Sequence, residues 1–96
     1  MANLTIVANI VAQPDKIDLV KSELLKLIDP TCVEDGCINY DLHQNNEDPA
    51  HFVFYENWVS EQHLQAHLAN SHIAAYIKAT EDALVSFTIS RMTMIG

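Results

Sequence analysis

The sequence predicts an α+β domain of β-α-β-β-α-β order, the ferredoxin-like arrangement with two helical segments covering one face of an antiparallel sheet. Three observations predict it. Two segments alternate apolar and polar residues with period two, and two more are β-rich. Two stretches between the strands place apolar residues at helical spacing. Turn residues fall at the junctions, and no repeat or linker divides the chain, so its 96 residues read as one domain, 1–96.

The first strand is LTIVANIVA, Leu4 to Ala12, apolar on both alternating faces. Pro14 stops it and suits the first turn of a helix, with Asp15 and Asp18 near the positive helix end. Ile17, Val20, Leu24, Leu27 and Ile28 then keep helical spacing until Pro30. After a turn at Glu34-Asp35-Gly36, residues Cys37 to Gln44 alternate, with Ile38, Tyr40 and Leu42 on one side. NNEDP forms a hairpin loop, and the next strand, His51 to Val59, turns Phe52, Phe54, Glu56 and Trp58 one way. Val53, Tyr55, Asn57 and Val59 face the other way. Ser60 caps a helix, with His63 at the capping-box position where Glu or Gln is usual. A break is expected at Asn70-Ser71, since both residues favour caps, and the last strand starts at Leu84.

Two helical segments cover one sheet face only. The other carries Val7, Val11, Val53, Tyr55, Val59, Met92 and Met94, an apolar set uncommon on a monomer's surface. A homodimer joined through this face is the expectation, and Asn9 is placed to serve it.

Composition excludes several partners. Thirteen acids against five Lys and Arg give a formal charge of −8, and the few cations are dispersed, so nucleic acid is not expected. No apolar run approaches the roughly 20 residues that span a bilayer, so no membrane is expected either. The start, MANLTIVANIVAQPD, lacks a basic n-region, and the expected location is cytoplasmic. The two cysteines, Cys32 and Cys37, are then expected reduced.

Three of the five histidines cluster in HLQAHLANSH, His63 to His72. His63 and His67 share a helix face, but a zinc site needs a third ligand, and Leu64 stands where a metalloprotease helix carries Glu. No metal is expected, and His63 is expected in solvent. His67 shares the apolar side of Leu64 and Leu68, while His72 opens the next helical segment and can turn back toward the sheet. Each is either a buried, satisfied histidine or a proton carrier. Tyr76 follows His72 by four residues on the same face. Glu56, facing inward, must be paired or stand at a pocket edge. Trp58 serves as core or as a substrate platform. With two glycines in all there is no phosphate-cradling loop, so no nucleotide cofactor is expected.

EDGCINYDL followed by FVFYENWVSEQHLQAHLANSH resembles the antibiotic biosynthesis monooxygenase family, including its small quinol monooxygenase-like members. The residues carrying the resemblance are Glu34, Gly36, Cys37, Tyr40, Glu56, Trp58, His67 and His72, in order over nearly the whole chain. Cys32 departs from it, since many relatives carry Arg or another polar residue there. The resemblance implies a dimeric α/β barrel with a pocket between helices and sheet in each subunit. Family members oxidise quinols or anthrones with O₂ and without cofactor, degrade haem, or isomerise a small signalling sugar. The haem-degrading branch has Trp at the position of His67 and an axial His near Tyr76 or Ile77, and this chain has neither.

The expected function is therefore cofactor-free, monooxygenase-like chemistry with O₂ on a small aromatic substrate. His67 or His72 is the candidate base, with Tyr76 or Asn57 as donor and Phe54, Trp58, Glu56 and Tyr40 against the substrate. The alternatives are a non-catalytic dimer that binds a small hydrophobic molecule, and a sugar isomerase, for which the cations that would hold a phosphate are scarce.

Overall fold

In a computed structural model describing residues 3–96, four strands form one sheet ordered β2-β3-β1-β4, every neighbouring pair antiparallel. The elements are β1 (Leu4–Ala12), α1 (Ile17–Leu25), α2 (Ile28–Cys32), β2 (Cys37–Gln44), β3 (His51–Trp58), α3 (Glu61–Leu68), α4 (Ser71–Ala79) and β4 (Leu84–Met92). Residues 1–2, included in the readings of the domain and of the starting segment, lie outside the described residues. The architecture is the α+β, ferredoxin-like one that the alternation predicts, and the sheet is open rather than closed into a barrel. No helix among the described residues is long and apolar enough to cross a membrane.

β1 lies between β3 and β4 and alternates strictly. Ile6, Ala8, Ile10 and Ala12 are buried under the helices, and Val7, Asn9 and Val11 are half-buried on the other face. β3 repeats the pattern with Phe52, Phe54, Glu56 and Trp58 inward. In β2 the register shifts between Cys37 and Asn39, and this bulge leaves Ile38 exposed rather than beside Tyr40.

The first helical stretch differs from the reading. Pro14 stands before the helix, in a turn closed by Lys16 N–H on the Gln13 carbonyl at 2.9 Å, where a fixed φ fits the second turn position. Pro30 does not end the stretch. The helix breaks after Leu25, and Pro30 sits in the first turn of α2, where its missing N–H has no intrahelical acceptor to lose. The second stretch breaks where expected. Ser60 Oγ caps α3 by accepting the His63 N–H, and Asn70 Oδ1 accepts the Ser71 N–H at 2.8 Å to open α4.

The helix-free face is less uniformly apolar than the sequence suggests. Met94 follows the end of β4 and is 81% exposed, off the sheet, because strand pairing stops at Met92. Val59 likewise follows β3. Hydrogen-bonded amides run between the apolar side chains: Thr5 Oγ1 donates to Asn57 Oδ1 at 2.6 Å, and Asn57 Nδ2 to Asn39 Oδ1 at 2.8 Å. Asn9 Oδ1 pairs with His51 Nε2 at 2.9 Å within the same chain.

Candidate active site

Between the helices and the sheet lies a cavity of about 210 Å³. Its walls are aliphatic, from Ile6, Ala8 and Ile10 of β1, Leu24 of α1, Leu64 of α3 and Ile73 of α4. Four polar side chains interrupt them: Tyr40, Glu56, His67 and Tyr76. Phe54 also lines the space and stacks on Tyr40, with ring centroids 4.2 Å apart. An engineered cavity of about 150 Å³ already holds benzene, so this one admits a single aromatic ring with substituents.

The polar centre is built by a turn. Glu34 N–H reaches the Thr31 carbonyl, Cys37 N–H reaches the Glu34 carbonyl, and Gly36 takes φ of +81°. That left-handed backbone suits glycine, and the His63 ring lies where any Cβ would go. The turn lifts Glu34 to the start of α4. There Oε2 lies 2.6 Å from His67 Nδ1 and 3.1 Å from His72 Nε2, while Asn70 Nδ2 donates to Oε1 at 3.3 Å.

A carboxylate only accepts, so His67 carries its hydrogen on Nδ1 and keeps its lone pair on Nε2. His67 is 3% exposed, and its ring is held between Tyr40, edge-on at 5.4 Å, and Trp58 at 4.7 Å. Burial pulls its pKa below the usual histidine value, against the opposing hydrogen bond and charge of Glu34. The result is a neutral, oriented imidazole in a largely aliphatic cavity.

Glu56 is 4% exposed and accepts the Trp58 indole N–H at 2.9 Å. Burial raises its pKa to about 7, against the Trp58 bond, so the carboxyl exchanges protons near neutrality. Tyr40 is pushed up by burial, with the Glu56 charge adding to the effect. Tyr76 is 5% exposed and raised by burial, and among the described residues its hydroxyl has no hydrogen-bond partner. A buried hydroxyl left unpaired costs about 1–3 kcal/mol, and this one is uncommitted and able to donate.

The remaining candidates stand elsewhere. His72 does not line the cavity; it turns to the α2–β2 segment, meeting Glu34 and Thr31 Oγ1, each at 3.1 Å. Asn57 is on the opposite sheet face, bonded to Thr5 and Asn39, because strand alternation separates it from Phe54 and Glu56. It has no access to the cavity. Trp58 is fully buried behind the lining as the support of Glu56 and His67 rather than a wall. His63, expected in solvent, is half-buried: its ring pairs with Ser60 Oγ at 2.7 Å and lies 3.5 Å from Asp35. Both cysteines are free thiols, and burial pushes Cys37 up to about 11, which keeps it protonated and a poor nucleophile.

Sequence reasoning assigned Glu34 no role, although it carries part of the resemblance. Its partners lie 33 and 38 residues away, and the usable signal was an acid beside a glycine turn. Glu34, His67 and His72 bring their ligand atoms within 4.8 Å of one another, so they are the residues that could converge on a cation. Hydrogen bonds to one shared oxygen already join them.

Residues 3–79 match the sequence model of the family described as antibiotic biosynthesis monooxygenase. The Mycobacterium tuberculosis protein named "Putative monooxygenase Rv0793" is 30% identical, over 76% of this chain and 71% of its own length. An uncharacterized Synechocystis protein, sll1783, is 27% identical over 84% of this chain, which spans only 55% of that relative. Among solved structures, PA3566 from Pseudomonas aeruginosa superposes with a TM-score of 0.95 at 29% identity, covering 100% of this chain and 97% of that one. A structure described as antibiotic biosynthesis monooxygenase gives 0.90 at 29%, covering 97% and 99%. The fold, the cavity and the family match agree, and the chain belongs to the antibiotic biosynthesis monooxygenase family.

Proposed function

We propose that the protein is a cofactor-independent monooxygenase of a small hydroxylated aromatic substrate of the quinol type, working as a homodimer. One observation carries the reading: His67 lines an apolar, ring-sized cavity while Glu34 holds its Nδ1 at 2.6 Å, which leaves Nε2 as the uncommitted ring nitrogen. His67 Nε2 takes the proton of the phenolic hydroxyl. The electron-rich anion then reduces O₂; one oxygen atom bonds to substrate carbon, and the other leaves as water with two protons. The O₂ and the substrate account for all four electrons. Protonated Glu56 and the Tyr76 hydroxyl donate to the developing oxyanion, and the aliphatic wall excludes water.

Glu56 and the unpartnered Tyr76 favour this reading over a binding-only domain, which has no use for a group titrating near neutrality in an apolar wall. A sugar phosphate is disfavoured because no Lys or Arg lines the cavity. The test is oxygen uptake with a panel of substituted hydroquinones, using protein treated with a chelator. Acceleration over the uncatalysed rate, without added cofactor, is expected. Uptake that requires added flavin or metal contradicts the proposal.

A further inference from the structure

A second hollow, of about 230 Å³, lies between α4 and β4. Tyr76, Ile77 and Phe87 line both spaces, so the two meet at these side chains. Ile77 is 58% exposed and Phe87 47%, which puts the outer hollow on the solvent side and the inner one beneath it. Apart from Glu81 at its exposed edge, the outer hollow has little to offer a polar ligand. The Thr80 hydroxyl is already committed to the Tyr76 carbonyl at 2.8 Å. The unpartnered Tyr76 hydroxyl belongs to a side chain shared by the two spaces.

A single ring fills the inner cavity and leaves the apolar wall outside it in water. We propose that the outer hollow is a subsite for an apolar arm of the substrate. The natural ligand is then a hydroxylated aromatic head bearing an alkyl-like chain, with a head oxygen on Tyr76 where the two spaces join. The inference rests on the inner cavity's being the site of an aromatic ring, and it adds the arm. Its physical basis is that affinity grows with the apolar area removed from water, and that a buried hydroxyl seeks a partner.

The experiment compares benzene-1,4-diol with its 2-octyl derivative by anaerobic titration calorimetry, on the wild-type protein and on Leu84→Trp and Glu81→Trp. Leu84 and Glu81 line only the outer hollow, and the indole is chosen to fill it. The octyl compound should bind the wild type at least tenfold more tightly than the unsubstituted ring. At least one folded variant should lose that advantage while binding the unsubstituted ring as before. Equal wild-type affinities for the two compounds, or an advantage kept in both variants, overturns the subsite and leaves the inner site standing. Binding of neither compound overturns the functional reading, and the subsite with it.

Discussion

A carboxylate bonded to one ring nitrogen of an imidazole sets the tautomer and leaves the other nitrogen basic. Glu34 does this for His67. Two groups whose pKa values are shifted in opposite directions then divide the proton work, and each gives the pH profile one limb. Burial lowers His67, so the base stays neutral down through its usual value near 6.5 and the rate falls only below that. Glu56 at about 7 loses its donating proton as pH rises past neutrality, and its new charge opposes the substrate anion. A bell-shaped kcat/KM profile follows, and Glu56→Gln should abolish the alkaline limb while the acid limb stays. An unchanged alkaline limb in that variant removes Glu56 from the chemistry. At this scale the sequence revealed residue types and faces but not partners. It placed Glu56 and His67 inward by periodicity, and the same alternation already set Asn57 apart from the pocket. The meeting of Glu34 with His67 and His72 was illegible, because it depends on how a turn and a helix junction dock across more than thirty residues.

Elements hold these residues through a few local devices. The Glu34–Gly36 turn is one, since only glycine adopts φ of +81° without strain and leaves room for the His63 ring. Gly36→Ala should therefore destabilise the protein by more than the roughly 1–2 kcal/mol of a left-handed non-glycine residue. Adding His63→Ala should recover the part due to overlap with the ring but not that with the His63 Cβ, and chemical denaturation of the three variants measures it as a coupling. Full additivity would mean that the ring simply moves aside. Strand periodicity, the Ser60 cap and the Asn70 break could be read directly because each is a local signal. The prolines could not, because Pro14 and Pro30 fit a turn or a first helical turn equally well, and packing decides between them. The bulge at Ile38 was hidden for the same reason, since nothing in CINYDLHQ marks the extra residue.

At the scale of the molecule, the helices and the sheet enclose the apolar cavity, while the opposite sheet face remains half-exposed. Val7, Val11, Val53 and Tyr55 on that face support the proposed homodimer, and the amide strip between them supplies polar contacts. Light scattering at micromolar concentration should give twice 10.8 kDa. Val53→Asp should return the mass to 10.8 kDa, because an unpaired buried charge costs several kcal/mol or more. A dimer that survives this substitution lies elsewhere on the surface. The role of His67 in the cavity is measured by cofactor-free oxygen uptake of wild type and His67→Ala on one active substrate. The variant must first be shown folded, with unchanged affinity for a substrate analogue. Loss of the general base predicts a fall of about 10²–10⁴-fold in rate. A folded His67→Ala protein that keeps the full rate would contradict the account.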